Sequence, residues 1–330
     1  MTRPDHLVIY LSGRCNLACP YCYSSGVEGK PITAAALRRA LKSFAAAKPQ
    51  SPKFTFLGGE PLLHRALLAG ALRDIKKLFP GAPVHVFTNG LLLKPGEAAR
   101  LLASGVKLAV SVTAPGPAAL KPLLARLPRP VRARVSAGLV VGPAGAAALP
   151  ADFERLEAAG FKSLAWSPDI TADWDAAALR RLEKAAAELL ALYLRRLRAG
   201  RGAWELANGY EAVALAARGE KPGPCRNLAL APDGFFYPCD KMLSGRPEEL
   251  RRYRTGPDGA GREKFFRLAG RRAAQSMCPV APWAAARFRR EPAPEPRGQA
   301  RARAIAASWL AAAARAGLGS PLFRRLHGVL

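Results

Sequence analysis

Three of the six cysteines in this chain fall within eight residues, in Cys15-Asn16-Leu17-Ala18-Cys19-Pro20-Tyr21-Cys22-Tyr23. The spacing is C-x3-C-x2-C, so one short loop must carry three thiols. Three thiolates on one loop suit three corners of a metal cluster. They do not complete a tetrahedral zinc site, because no histidine or fourth cysteine lies nearby in sequence. A cubane [4Fe–4S] cluster held by Cys15, Cys19 and Cys22 keeps one iron open to a non-protein ligand. A zinc knuckle, or three buried thiols, is the alternative for these residues taken alone.

The loop follows an apolar run, and such runs then alternate with Ala/Leu-rich stretches. Strands are expected at Leu7–Ser12, Lys53–Leu57, Val84–Thr88, Val106–Val112, Val131–Val141 and Ser163–Ser167. Helices are expected at Thr33–Ala47, His64–Phe79, Pro95–Ala103, Pro117–Ala125 and Asp152–Ala159, with Thr33 placed as an N-cap. Regular β-α alternation implies parallel strands with right-handed crossovers. A long amphipathic helix, Leu179–Arg198, and a second helical stretch, Trp204–Ala217, lead to a boundary at Pro222-Gly223-Pro224.

Composition narrows the setting. Half of the 330 residues are hydrophobic, which a disordered chain does not show. No stretch approaches a membrane span, and no signal peptide precedes the first strand, so a cytoplasmic location is expected. There, cysteines read as metal ligands or reactive thiols before disulfides. The net charge of +27 suggests either a basic surface for an acidic partner or a plain bias toward arginine. The charge is spread along the chain without a nucleic-acid-binding motif, which favours the bias and leaves RNA binding as a reading carried by charge alone.

The cysteine run resembles the C-x3-C-x-(aromatic)-C signature of the radical S-adenosylmethionine (SAM) superfamily, with Leu17, Pro20, Tyr21 and Tyr23 also fitting. The resemblance implies an α/β fold: a partial (β/α)6 TIM-like barrel with a small C-terminal SPASM/twitch-type iron–sulfur domain and a helical tail. In such barrels the site lies at the C-terminal ends of the strands. The resemblance also implies that SAM chelates the open iron. Reductive cleavage then gives methionine and a 5′-deoxyadenosyl radical that takes a hydrogen atom from substrate. A reductant such as flavodoxin or ferredoxin is implied with it.

Further motifs extend the resemblance. Gly58-Gly59-Glu60-Pro61 after the second strand matches the GGE motif, whose backbone and carboxylate are expected to bind the SAM amino group. Alone, the same four residues are a turn. Thr88-Asn89-Gly90 resembles the family's Thr-Asn-Gly, with Asn89 beside SAM or merely in an Asn-Gly turn. Ser111 maps onto a polar residue near the SAM ribose or carboxylate, and Thr113 stands where relatives carry Asp. Arg134, expected on strand five with Ser136, is a candidate partner of the SAM carboxylate or a solvated edge residue.

Beyond the boundary, two apolar runs flank Asp233-Gly234, a hairpin signal that draws Cys225 toward Cys239. This spacing matches the opening of a SPASM or twitch extension. In the second half of that pattern only Cys278 survives. One auxiliary iron–sulfur cluster on Cys225, Cys239 and Cys278 is therefore expected, with an open iron or a non-cysteine ligand, and three structural cysteines are the alternative. Asp240 follows Cys239 directly. By resemblance to anaerobic sulfatase-maturing enzymes it is a candidate general base, and otherwise a cap on the turn. From Arg287 to Leu330 the chain holds nine Arg against two Glu, around a Pro-rich linker and an expected helix, Gln299–Ala316.

Four units are expected: the barrel (1–199), a helical connector (200–222), the SPASM/twitch-like unit (223–286) and a basic tail with a helix (287–330). The implied activity is hydrogen abstraction from a peptide or protein side chain. The runners-up are a small-molecule dehydrogenase or cofactor-biosynthesis enzyme, and an RNA-binding or RNA-modifying protein. The chain begins almost at strand one, so a separate leader-peptide-binding protein is an expected partner.

Overall fold

A computed structural model describes residues 3–113, 124–200, 202–207, 225–269, 284, 287–288 and 296–327. One sheet organises them. Its first six strands are β1 (His6–Tyr10), β2 (Lys53–Leu57), β3 (Val84–Thr88), β4 (Lys107–Thr113), β5 (Ser136–Val141) and β6 (Ser163–Pro168). The helices between them are α1 (Ala34–Ala46), α2 (Arg65–Leu78), α3 (Pro95–Ala103), the single turn α4 (Arg129–Arg132) and α5 (Leu149–Ala158). Each strand from β1 to β6 pairs in parallel with the next, as right-handed β-α crossovers require.

The helices form because their apolar positions recur at helical spacing and their ends are capped. In α1, Leu37, Ala40, Leu41 and Phe44 are buried, and the Thr33 hydroxyl accepts from the Ala36 N–H at 3.2 Å. Phe44 packs edge-on against Phe54 of β2, whose ring centroid lies 4.8 Å from that of Phe79. Burying each such side chain contributes roughly 1.5–3 kcal/mol. The helix-facing side of the sheet is therefore closed. Over β1 the inner face is also closed, by the cluster around Val8 and Tyr10. Over β4 to β6 it is not: Ala109, Gly138, Ala165 and Ser167 stay half-exposed and Ser111 is exposed. Side chains this small leave that part of the interior unfilled among the described residues.

The sheet continues past both ends of this barrel. A long helix, α6 (Ala176–Arg198), capped by the Asp175 carboxylate, leads to a short seventh strand, β7 (Glu205–Leu206), parallel to β6. The helix expected from Trp204 is corrected at its start. Residues 205 and 206 instead pair with the open edge of β6, where the carbonyls of Lys162 and Leu164 accept from Glu205 and Ala207 N–H at 2.9 Å. The remainder of that stretch, and the Pro222–Pro224 boundary, lie outside the described residues. So does most of the expected helix Pro117–Ala125, of which 124 and 125 are helical.

At the other end the Asp233-Gly234 hairpin forms as the sequence signals. Strand β8 (Asn227–Leu230) pairs antiparallel with β9 (Phe236–Tyr237), with Gly234 at φ 81° in the turn. β8 also pairs in parallel with β1, His6 opposite Asn227 and Ile9 opposite Leu230. The sheet order is β7-β6-β5-β4-β3-β2-β1-β8-β9.

Arg134 is a second correction. The expected strand Val131–Val141 starts only at Ser136. Pro130, at the start of α4, favours a helical turn there, and the Arg132 guanidinium fixes it by donating to the carbonyls of Leu127, Leu124 and Ala159. Arg134 is left exposed in the following turn, at the N-terminal end of β5. It is at the wrong end of the strand to meet a ligand at the mouth.

After β9 come the short helix α7 (Pro247–Leu250) and α8 (Arg262–Ala269). The tail forms α9 (Pro296–Gly317) and α10 (Pro321–His327). α9 packs along α6 and behind β6: Trp309 lies 5.9 Å from Trp166 and 6.5 Å from Tyr193 between ring centroids. The basic tail thus contributes Ala302, Ala306, Trp309, Leu310 and Phe323 to the main core. No described helix is long and apolar enough to cross a membrane.

Candidate active site

The cysteine loop leaves the C-terminal end of β1 and is clamped at its base. Gly13 N–H donates to Glu28 O at 2.7 Å, and the Ser12 hydroxyl donates to Gly29 O at 2.8 Å, so the outgoing and returning chain close on each other. The loop after β2 is stitched to the same base: Gly59 N–H donates to Ser12 O at 3.0 Å and Glu60 N–H to Arg14 O at 2.8 Å. This approach is why both residues before Glu60 are glycine. Gly58 has φ 116°, outside the range of most side chains, and a Cβ on Gly59 would stand 1.9 Å from the Arg14 oxygen.

Glu60 ties three loops together. It is 2 % exposed, and its carboxylate accepts from Leu62 N–H at 3.0 Å, the Thr88 hydroxyl at 2.8 Å and Asn89 N–H at 2.8 Å. Pro61 starts the tight turn after it and is buried. Burial raises the Glu60 carboxyl above its ordinary range, against those three donors, which act the other way. The side chain is thus held in place from inside the protein, with Oε1 accepting two of these bonds and Oε2 one, directly beside the Gly-Gly backbone. Asn89 in turn donates from Nδ2 to Asn16 Oδ1 at 2.8 Å and to Cys15 Sγ at 3.8 Å. The Thr-Asn-Gly turn is therefore a brace on the cysteine loop.

Cys15 is exposed, and Cys19 and Cys22 are half-buried. Burial pushes the Cys22 thiol up, and Cys19 and Cys15 add to the shift, which puts the three within electrostatic reach of one another. Among the described residues no three His, Cys, Asp or Glu side chains converge as they would on a single ion. A cubane spreads its thiolates over separate irons, and three soft donors with no carboxylate among them fit an iron–sulfur group. Tyr21 is half-buried within the loop. Ser111 is exposed on the inner face of β4, beside Gly138 of β5.

Tyr23 carries the loop inward to Asp240. The Tyr23 and Tyr10 hydroxyls donate to Asp240 Oδ2 at 3.4 and 3.5 Å, and the Lys241 ammonium forms an ion pair with the same oxygen. Lys241 also donates to the Tyr23 hydroxyl at 2.9 Å and sits 4.1 Å from its ring centroid. Burial, the largest single influence, acts to lower the Lys241 ammonium, but the Asp240 carboxylate together with Tyr10 and Cys239 holds it above its usual range. Burial, reinforced by the same carboxylate, raises both tyrosines well above theirs. The Ser244 hydroxyl donates to Tyr23 O and fixes the stretch of chain between. The sequence reading missed Lys241 and Ser244. Lys241 stands next to Asp240, but its partner Tyr23 is 218 residues away.

Cys239 is buried and Cys225 half-buried, one on each side of the hairpin, near the N-terminal end of β1. The strand steps from His6 to Tyr10 alone span roughly 13 Å, so the pair lies about a strand's length from where the cysteine loop starts, although Tyr23 of that loop reaches Asp240 beside Cys239. Cys278 lies outside the described residues.

Comparison with known proteins places the barrel. Residues 9–135 match the sequence model of the radical SAM superfamily. This chain carries a radical SAM domain. Over 93 residues it is 38 % identical to a probable GTP 3′,8-cyclase of Methanocella arvoryzae, a match covering 28 % of each chain. Over 109 residues it is 26 % identical to an uncharacterised protein of Methanocaldococcus jannaschii, covering 32 % of this chain and 38 % of that one. The matches thus span well under half the length of these curated relatives. Among solved structures, native anSMEcpe with bound AdoMet superposes with a TM-score of 0.67 at 16 % identity, covering 92 % of this chain and 96 % of that one. Streptococcus suis SuiB bound to precursor peptide SuiA gives 0.53 at 16 % identity, covering 74 % and 61 %. These likenesses establish the fold, both of the radical SAM domain and of the C-terminal part of the chain. The family implies a [4Fe–4S] cluster and SAM.

Proposed function

We propose that this chain is a radical SAM enzyme that removes a hydrogen atom from a side chain of a peptide or protein substrate. The observation that carries the reading is the convergence of three loops at the mouth of a barrel that is open over β4 to β6: the three loop thiols, the Gly-Gly backbone and the Asn89 brace. Cys15, Cys19 and Cys22 would hold the cluster. The cluster and SAM, when bound, supply the one-electron chemistry.

The chain's own residues hold, orient and move a proton. The backbone at Gly58 and Gly59, with Tyr21, Tyr23, Asn89 and Ser111, would bind and orient SAM. Glu60 fixes the geometry of that cradle from behind, which matters because misplacing a reacting group by about 1 Å costs on the order of a hundredfold. Asp240 would take the proton that leaves substrate: Oδ2 is held by Tyr10, Tyr23 and Lys241. The small inner-face residues of β4 to β6 leave room for a substrate chain. A peptide substrate is supported by the likeness to structures solved with peptides, anSMEcpe with Cp18Cys peptide and SuiB with SuiA. Cys225 and Cys239, with Cys278, would hold an auxiliary cluster in a twitch-like unit. An acidic electron donor such as flavodoxin or ferredoxin would serve as reductant for a protein of net charge +27.

Anaerobic reconstitution and then reduction in the presence of SAM tests the core of this reading: 5′-deoxyadenosine should form. Its absence from protein that has taken up iron would defeat it. A small-molecule substrate is the second reading, favoured by the 38 % local identity to a GTP cyclase. Stimulation of 5′-deoxyadenosine release by a purine nucleotide and not by peptides would select it.

A further inference from the structure

Positive charge is laid unevenly over the helices that wrap the barrel. Helix α1 carries Arg38, Arg39 and Lys42 and no acid. Helix α2 carries Arg65, Arg73, Lys76 and Lys77, with Asp74 as its one acid. Farther along the sheet the balance changes: α3 sets Glu97 against Arg100, and α5 sets Asp152, Glu154 and Glu157 against Arg155. The two basic helices pack on each other, and Arg38 Nε lies 3.2 Å from the Asp74 carboxylate across the seam. Arg65 is paired with Glu97. Arg39, Lys42, Arg73, Lys76 and Lys77 are exposed and form no ion pair with a carboxylate among the described residues. An unbalanced cationic face destabilises the folded chain by self-repulsion and attracts an anionic partner. This face lies beside the cysteine loop. That loop returns into α1, where Ile32 N–H donates to Leu11 O at 2.8 Å, and the Gly-Gly-Glu-Pro turn leads directly into α2. Both helices therefore start at the mouth, near the exposed Cys15, and run away from it. Leu17 and Leu63, large apolar side chains that stay 38 % and 42 % exposed, sit at the same edge.

We propose that the outer face of α1 and α2 is the docking surface for an acidic one-electron carrier protein, which delivers its electron at the cysteine loop. The proposal rests on the reductant named in the proposed function and gives it a place on the chain. One electron leaves the carrier for each carbon–sulfur bond of SAM that breaks, with methionine as the leaving group. The dimensions agree. An ordinary protein interface covers about 800 Å² on each partner, a patch roughly 30 Å across. Arg73 lies about 12 Å along α2 from Arg65 at 1.5 Å per residue, so a patch centred near it still reaches the cysteine loop. Cations on such a face steer an acidic partner and raise its rate of encounter by about 10- to 1,000-fold, while Leu17 and Leu63 offer apolar contact where the two proteins meet. The long α6 is basic as well, with Arg180, Arg181, Arg195 and Arg198 exposed, but it packs against α5 and α9 at the β6 end of the sheet.

The test compares two reductants on the full, iron-loaded chain with SAM, reading the initial rate of 5′-deoxyadenosine formation. Dithionite is small and needs no docking face; reduced flavodoxin or ferredoxin, at limiting concentration, does. With Arg39→Glu, Lys42→Glu, Arg73→Glu and Lys76→Glu combined, the dithionite rate should stay within about twofold of the unmodified chain. The rate with the carrier protein should fall about tenfold or more. In the unmodified chain that rate should drop as salt is raised, and the variant should lose the dependence. Reversing Arg180, Arg181, Arg195 and Arg198 of α6 to Glu changes the net charge equally and should alter the carrier rate by no more than about twofold. An unchanged carrier rate in the α1–α2 variant, or an equal fall in the α6 variant, would overturn the assignment. So would an unchanged carrier rate joined to lost retention of single-stranded RNA, which would give the face to nucleic acid. If the fourfold variant does not fold by circular dichroism, Arg39→Gln with Arg73→Gln decides by the same two rates. Absence of 5′-deoxyadenosine with dithionite in the unmodified chain would defeat the radical SAM reading itself. Activity with dithionite but with neither carrier protein would defeat the docking proposal alone.

Discussion

The two thiol regions of this protein are built in opposite ways. Cys15, Cys19 and Cys22 lie on an open loop at the C-terminal end of β1, clamped at its base by backbone bonds and braced by the side chains of Ser12, Asn89 and Ser244. Cys225 and Cys239 lie toward the N-terminal end, flanking a hairpin with an apolar cluster over Cys239, and the buried Arg262 donates to the carbonyls of Cys225 and Asn227 there. The difference teaches what each can do. A site that must admit a large exchangeable ligand cannot be sealed by side chains, so its geometry comes from interlocked main chain. The hairpin region is instead packed with apolar side chains over Cys239, which leaves no such opening there. Between the two regions run Tyr10, Tyr23, Asp240 and Lys241, which join the cysteine loop to the end of the hairpin.

The sharpest break of this comparison is to remove one set of thiols at a time. Replacing Cys15, Cys19 and Cys22 with Ala should abolish 5′-deoxyadenosine formation and cut bound iron from about eight to about four per chain. Replacing Cys225 and Cys239 should remove the other four and leave 5′-deoxyadenosine formation measurable. Next in size is Gly59→Ala. Its Cβ would lie 1.9 Å from the Arg14 oxygen, so the two loops must part. A displacement of about 1 Å at the cradle should lower SAM cleavage roughly a hundredfold, read from initial rates, with smaller changes in melting temperature. Asp240→Asn should slow product formation by about tenfold or more, as general-base losses do, while 5′-deoxyadenosine is still released. Unchanged product formation would leave Asp240 a structural link between the two regions.

The smallest effect concerns the seam where the hairpin joins the barrel. His6 bridges three strands, with Nδ1 3.0 Å from Asn227 Oδ1 and Nε2 2.8 Å from Thr55 Oγ1. Burial first, then the nearby Lys53, lowers its pKa to about 4. A base depressed in this way stabilises the fold fully above its unfolded value near 6.5, and that stability is lost as pH falls from there toward about 4. The loss should reach at most about 3 kcal/mol. Denaturant midpoints of the holoprotein should fall between about pH 7 and pH 4.5, and His6→Gln should flatten that dependence. An equal slope in the variant would assign the acid sensitivity elsewhere, for instance to His85, whose pKa burial and the charges of Lys107 and Lys53 also lower to about 4.

Much of the barrel was legible because its signals are local. Alternating apolar runs and capped helices marked six strands in order, and Asp233-Gly234 marked the hairpin. The failures share one cause, that a short apolar run does not declare its period. Val131–Val141 read as one strand, although Pro130 turns its start into a helical turn and puts Arg134 at the far end of β5. Trp204 read as the start of a helix, although the chain there adds a strand to the exposed edge of β6. The motif residues were found by spacing, but spacing did not show that Leu62, Thr88 and Asn89 all donate to the Glu60 carboxylate.

The sequence by itself determined the chemistry that is available: which residues are thiols, where glycine permits two backbones to touch, and that strands and helices alternate. Only the tertiary structure decided which of those groups meet. Pairing β8 with β1, turning Lys241 onto Tyr23 and burying Arg262 against the carbonyls of Cys225 and Asn227 all join residues far apart in the chain. Such contacts depend on which strand edges are left unpaired and which charges are left unbalanced once the core has closed, and no local pattern of residues carries that information.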